Sequence, residues 1–262
     1  MGERTLKQFR DILSKKPHFH EEFLTNTCRN LVAGKKDFVI VDGGANTGWH
    51  TMRFARMPGC ACVYAIEADP HILEKLRATI EKWYNSRDYC ELVVVEQALQ
   101  DDPQKNSIEW HSSPSHPGRA SIASLGEGSQ TIHSHDPAVA YRDAFSVAAT
   151  TIDALLATEK RTVPLIKLDL EGADFLAMKG ARTVMADKRP FIAFENSARA
   201  PTVHGYKPED MLSFFDSLDY VMCDVLGGVV DRSSLFGFWE AWACPREGLS
   251  FLAGTISRIE ME

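Results

Sequence analysis

The residues best suited to chemistry are gathered in one stretch, VIVDGGANTGWHT, residues 39–51. Val39, Ile40 and Val41 are β-branched and run into Asp42, after which Gly43, Gly44 and Gly48 remove side chains where the chain must turn. A strand that stops in a glycine loop and hands over to a helix leaves room for a ligand at the helix N-terminus. Three ligand classes compete for such a loop. A phosphate-binding loop needs Lys after its last glycine, and Gly48 is followed by Trp49, so that reading fails. A dinucleotide fingerprint counted from Gly43 needs glycine at position 45, where Ala45 stands, which weakens NAD(P) without removing it. S-adenosylmethionine asks for close backbone approach, a carboxylate for its ammonium and an acid on the next strand for its ribose. Asp42 with Gly43 and Gly44 could supply the first two. Glu67, 19 residues beyond Gly48, could supply the third, because a carboxylate accepts from both ribose hydroxyls. The same acid would also serve a dinucleotide ribose.

A second set of acids falls at the ends of later apolar runs: Asp169 and Glu171 in VPLIKLDLEGAD, and Glu195, beside Asn196, in PFIAFENS. Open α/β sheets bind ligands at the carboxyl ends of their strands, so Asp169, Glu171 and Glu195 are candidates for catalysis or for holding an acceptor. Asp169 and Glu195 could also form an oxygen-rich site for a divalent metal. For Glu171 a helix start favoured by the macrodipole is an equal reading, and for Lys167 an internal ion pair is as good as a catalytic role. His111, His116, His133 and His135 lie together in a Ser-, Gly- and Pro-rich stretch. A solvated loop is the favoured explanation for them; the functional one is His111 or His116 as a base delivered by a closing lid. Phe236, Phe238, Trp239 and Trp242 alternate incompletely, which predicts mostly core residues, with one or two lining an acceptor pocket.

These residues must be positioned by a sheet. Apolar residues at helical spacing from Thr5 to about Cys28 predict a helical cap with no evident chemistry. Strands ending at Asp42, at Glu67, near Glu96, near Asp169 and near Glu195 alternate with helices, one of them with a buried stripe of Leu73, Leu76, Ile80 and Trp83 or Tyr84, and another running through Phe175, Met178 and Val184. Alternation predicts a mostly parallel sheet with helices on both faces, and two closely joined late strands predict an antiparallel pair at its edge. Residues 103–149 are too long for an ordinary connection and read as a lid-like insertion.

With 262 residues, 44% hydrophobic and 25% charged, the chain can form one well-filled domain, expected over 37–262, preceded by a helical extension over 1–36. The formal charge of −7 argues against nucleic acid as a partner. No stretch approaches the roughly 18 apolar residues needed to cross a bilayer, and no signal peptide is evident, so a cytoplasmic protein without a membrane partner is expected. Six cysteines without a C-x-x-C pair predict reduced, structural thiols.

The segments VDGGANTGWHT, AIEADP, QALQD, TTIDALL, IKLDLEGADFLAMKGA and FIAFEN, in this order and spacing from about Phe38 to Asn196, resemble the FkbM family of methyltransferases. That resemblance implies a class I methyltransferase fold, a Rossmann-like three-layer α/β sandwich whose mostly parallel seven-stranded sheet has one antiparallel strand near the edge. It also implies methyl transfer from S-adenosylmethionine, usually to oxygen. Carried over by position, it makes Asp42, Gly43, Gly44, Ala45, Asn46 and Gly48 the methionine loop, Glu67 the ribose acid, and Gln97, Ala98 and Leu99 the adenine edge, extended by Asp101. The expected activity is O-methylation of a hydroxyl on a small molecule, a natural product or sugar, leaving S-adenosylhomocysteine. The alternatives are an NAD(P)-dependent oxidoreductase on the same sheet and a non-catalytic binding protein that keeps the fold. Self-association into a homo-oligomer stays open.

Overall fold

A computed structural model describes residues 5–16, 18–84, 88–112 and 143–259. The chain opens with two helices, α1 (Leu6–Leu13) and α2 (Phe19–Leu31), where one continuous cap was expected. Thr5 closes α1 with a capping box to Gln8, and the sequence places Pro17 between the helices, which disfavours helix in the residue before it.

The main sheet follows. Strands β1 (Phe38–Gly43), β2 (Cys60–Ile66) and β3 (Glu91–Val95) are joined through α3 (Trp49–Phe54) and α4 (Pro70–Trp83). Ile72, Leu73 and Leu76 of α4 are buried, but Trp83 is 58% exposed, so the expected buried stripe ends a turn early. The short β4 (Ala98–Leu99), β5 (Ser107–Ser112) and β6 (Asp143–Thr150) then form a separate three-stranded sheet in the order β4-β6-β5. Both ends of the expected insertion are therefore strand. Ile108 pairs with Val147 across β5 and β6 and both are buried, which is what a half-buried antiparallel pair requires.

After α5 (Ile152–Leu155), β7 (Thr162–Leu168) enters the main sheet. The helix expected through Val184 is two pieces, α6 (Asp174–Lys179) and α7 (Arg182–Lys188), separated at Gly180. A Cβ at Gly180 would lie 2.1 Å from the Gln100 carbonyl oxygen, so this glycine lets the break press against the residue that follows β4. Next come β8 (Phe191–Glu195), α8 (Ala200–His204), α9 (Pro208–Ser217), β9 (Tyr220–Asp224), β10 (Glu240–Pro245) and α10 (Leu249–Ile256).

The seven strands run β3-β2-β1-β7-β8-β10-β9, and β10 is antiparallel to both neighbours, matching the expected sheet. Alternate residues feed two cores. Phe38, Ile40, Leu165 and Trp242 face the side covered by α1, α2 and α10, while Val41, Ile166, Phe194 and Ala241 pack with Phe175, Met185 and Phe215 on the other. The parallel register aligns Gly43 with Ile66 and with Leu168, and Ile66 with Val95, so four strands end in one row. Among the described residues no helix is long and apolar enough to cross a membrane.

Candidate active site

Two cavities open along that row of strand ends. The first is lined by Gly44 and Asn46 after β1, Glu67 after β2, and Gln97, Ala98 and Leu99 after β3. Glu67 is built in tightly. Its Oε2 accepts from the Asn46 N–H at 2.9 Å, and its Oε1 from the Ala68 and Asp69 N–H groups at 2.9 Å each. Burial pushes its carboxyl up from the ordinary value, and the three N–H bonds counter part of that. A carboxylate has about four acceptor positions, so Glu67 keeps capacity for a ligand hydroxyl after fixing the loop.

The glycine loop does its work mostly from behind. Gly44 has φ +70° and Gly48 φ +90°, and a Cβ on Gly44 would fall 2.0 Å from the Asp169 carbonyl oxygen. Only glycine lets the turns after β1 and β7 touch in this way. The Gly44 and Ala45 N–H groups donate to the Ile66 carbonyl and the Gly48 N–H to the Ala45 carbonyl. Gly43, Ala45 and Gly48 are buried and do not line the cavity; they shape the loop that presents Gly44 and Asn46.

Asp42 departs from expectation in the same way. It is fully buried, accepts from the Thr51 hydroxyl at 2.6 Å and pairs with Lys167 at 3.4 Å. Lys167, itself 4% exposed, also donates to the Gly44 carbonyl at 3.1 Å and lies 3.5 Å from Asp169. Burial alone would lower the Lys167 pKa, but the carboxylates of Asp42 and Asp169 hold the ammonium above its ordinary value. Asp42 thus anchors the loop through Lys167, the internal ion pair that was one of two equal readings of that lysine, and is fully buried away from the cavity. Asp101 is likewise engaged, by Lys179, and does not line the cavity. Asp69, which caps α4 through the His71 N–H, and Trp110 on β5, whose indole N–H has no acceptor among the described residues, are among the lining residues that went unforeseen.

The second cavity, about 290 Å³, lies on the α2 side of the sheet and is lined by His20, Glu21, His50, Glu195, Trp239 and Glu240 among others. Asp169 and Glu171 line both cavities and so form the partition between them. Glu171 sits at φ +51° and Gly172 at φ +96°, a tight turn ahead of α6, so Glu171 lies outside the helix start that was its alternative reading.

Glu195 and Glu240 are direct register partners across β8 and β10. Opposed residues of an antiparallel pair project to the same face with Cβ atoms about 5 Å apart. Burial, aided by the Asp169 carboxylate and opposed by Lys167, pushes Glu195 up to about 8. Burial, together with Asp169 and Glu21, does the same to Glu240. The Glu240 Oε2 has no hydrogen-bond partner among the described residues. His50 is held well below the usual imidazole range by burial and by Lys167 and Arg53, so it is neutral near pH 7. Trp239, 42% exposed, stands at this cavity with its ring stacked on Phe238 at 4.0 Å, whereas Trp242 is 2% exposed. Phe236, Phe238 and Trp239 precede β10 and do not belong to the strand expected there.

Asp169 and Glu195 line one cavity, but no three His, Cys, Asp or Glu side chains among the described residues come together as a metal site. The metal-ligand expectation for them therefore lacks the rest of a donor set. His116, His133 and His135 lie outside the described residues; His111 is the penultimate residue of β5, and its side chain also lies outside the described part.

The model of the methyltransferase FkbM domain matches residues 42–222, well over half of the chain. A search of curated proteins found no significant match. Among solved structures, a methyltransferase FkbM from Methylobacillus flagellatus aligns at a TM-score of 0.48 and 16% identity, over 80% of this chain and 44% of its own. This chain therefore spans less than half the length of that structure. A precorrin-6y C5,15-methyltransferase from Geobacter metallireducens aligns at 0.40 and 12%, over 77% of this chain and 71% of its own. A TehB-like SAM-dependent methyltransferase from Corynebacterium glutamicum aligns at 0.39 and 10%, over 84% and 85%.

Proposed function

The chain belongs to the FkbM methyltransferase family, a family of S-adenosylmethionine-dependent enzymes, and from that premise we propose that it methylates a hydroxyl oxygen of a small-molecule acceptor, a natural product or sugar. The observation that carries the reading is the pair of cavities at the strand ends, which share Asp169 and Glu171 in their walls. The first suits the cofactor. Glu67 accepts from the ribose hydroxyls, the edge from Gln97 to Leu99 with the Trp110 ring receives the adenine, and the bare surface at Gly44 admits the methionine end. When bound, S-adenosylmethionine supplies a methyl group on a positively charged sulfur.

The second cavity suits the acceptor. Methyl transfer is an in-line displacement, so the protein gains most by aligning the two molecules across the partition and by keeping water out. A hydroxyl must give up its proton near the transition state, and Glu195 is the group to receive it. A carboxyl whose pKa is raised to about 8 is a stronger base than an ordinary one once ionised. Asp42 and Lys167 act one layer back, holding the loop against the partition.

Titration calorimetry with S-adenosylhomocysteine and, in parallel, NADH tests the cofactor. Micromolar affinity for the first alone is expected; binding of NADH alone would assign the loop to hydride chemistry. Turnover of methyl-labelled donor against an acceptor panel then separates an enzyme from a binding protein on the same fold.

A further inference from the structure

The opposite ends of the parallel strands, away from both cavities, hold two thiols that methyl transfer does not use. Cys60 opens β2, Cys90 immediately precedes β3, and their sulfurs lie 3.5 Å apart. β3 is the edge strand of the sheet, and both cysteines are only half-buried. Backbone bonds fix them there: the Cys60 N–H donates to the Met57 carbonyl at 3.0 Å and the Cys90 N–H to the Ala55 carbonyl at 2.8 Å, which ties both to the segment after α3. Cys62, two residues on, is no rival partner. The register of β1 with β2 shifts between Phe38 and Val39, so Cys60 packs with Cys90 on the α2 side of the sheet while Cys62, fully buried, belongs to the other core. Cys223 and Cys244 also meet, but both are fully buried, where no oxidant reaches them. The half-buried sulfurs are unequal. Contact with Cys90, together with burial, holds the Cys60 thiol above the ordinary range, and the same contact holds Cys90 below it. One proton shared by two sulfurs leaves the negative charge on Cys90, and a thiolate is the nucleophile in disulfide exchange. A disulfide needs its sulfurs at about 2.05 Å, so the pair closes by a further approach of about 1.5 Å, within the reach of side-chain rotation.

We propose that Cys60 and Cys90 form a site of reversible thiol–disulfide exchange, whose co-reactant is a low-molecular-weight disulfide such as oxidised glutathione. The Cys90 sulfur attacks one sulfur of that molecule, breaks its S–S bond and releases one thiol, leaving a mixed disulfide on Cys90. Cys60 then loses its proton, attacks the Cys90 sulfur and displaces the second thiol. Two electrons pass from the cysteines to the small disulfide, which leaves as two thiols carrying the two protons, and the protein keeps a Cys60–Cys90 bond. That bond closes the segment from 60 to 90, which contains Glu67 and α4, and ties the edge strand to its neighbour at the end remote from the first cavity. The proposal is independent of the methyl-transfer reading.

The test incubates the folded full chain in glutathione buffers of stepped oxidised-to-reduced ratio, traps free thiols with iodoacetamide and maps the peptides by mass spectrometry. A Cys60–Cys90 link is expected in more than half of the molecules at about a tenfold excess of the oxidised form, and dithiothreitol should reverse it. Cys60→Ser should stop at a glutathione adduct on Cys90, and in Cys90→Ser the remaining Cys60 should react at least about 10-fold more slowly than that. A cooperative thermal unfolding transition certifies that each variant is folded; if either is not, the map of the unaltered chain decides alone. No link at any ratio, a link between other cysteines, a Cys60–Cys90 link formed only in urea, a persistent adduct on Cys90 in the unaltered chain, or equal reactivity of the two folded variants would each overturn the proposal.

Discussion

Glu67 serves two purposes, and that sets what its removal does. Its carboxylate closes the loop through three N–H bonds and also faces the first cavity. Glu67→Ala should therefore weaken S-adenosylhomocysteine binding at least 10-fold and cost about 1–3 kcal/mol of stability, because three N–H donors, two of them in buried bonds, lose their acceptor. Calorimetry and urea unfolding read the two effects separately. A solvent-facing ribose acid would show only the first. Trp110→Ala should lower cofactor-product affinity by about 2- to 10-fold, the usual worth of an aromatic contact, and leave unfolding by urea little changed. Glu240 gives a pH dependence whose sign follows from its raised pKa. Between its ordinary value of 4.5 and about 8 the folded state binds a proton that the unfolded state has released. The stability this group contributes is therefore full below that window and is lost as pH rises through it. Glu240→Gln should raise the melting temperature at pH 8, by about 3 °C for each 1 kcal/mol recovered, and change it little at pH 4.5. An equal shift at both pH values would remove the buried-carboxyl explanation.

Among the elements, α1 and α2 show how far local patterning reaches. The spacing of Leu6, Phe9 and Ile12 announces a helix, yet nothing in it announces what the helix covers. In the structure Phe9 is fully buried, its ring 5.0 Å from Phe23 and 5.4 Å from Phe238, so α1 clamps α2 onto the segment before β10. Phe9→Ala should destabilise the protein by about 3–5 kcal/mol in urea unfolding. If the protein remains folded, S-adenosylhomocysteine binding should survive better than acceptor binding, because α2 lines only the second cavity. The glycine loop and Glu67 could be picked out because each lies at the end of an apolar strand, whereas the edge from Gln97 to Leu99 was offered only by the resemblance to the family. Glu240 was not legible, since its partnership with Glu195 depends on an antiparallel register 45 residues away in sequence. His20 and Glu21 were hidden for the same reason: an amphipathic helix looks alike whether its polar edge meets solvent or a cavity. Asp42 misled in the opposite direction. An acid at a strand end reads as a ligand group, and only the position of Lys167 on the neighbouring strand shows that it is a buried anchor.

At the scale of the molecule, the parallel half of the sheet and its β1 and β2 loops build the first cavity, while the antiparallel strand β10 and α2 help enclose the other. The turn from Asp169 to Glu171 belongs to both. The family match begins at residue 42 and so omits α1 and α2 altogether, although α2 carries part of the second cavity's wall. That division has a practical reading for protein engineering. The two helices α1 and α2 lie outside the matched region and only α2 reaches a cavity, so redesign of the α2 face at His20, Glu21 and Leu24 offers a route to alter the second cavity while the first is left as it is.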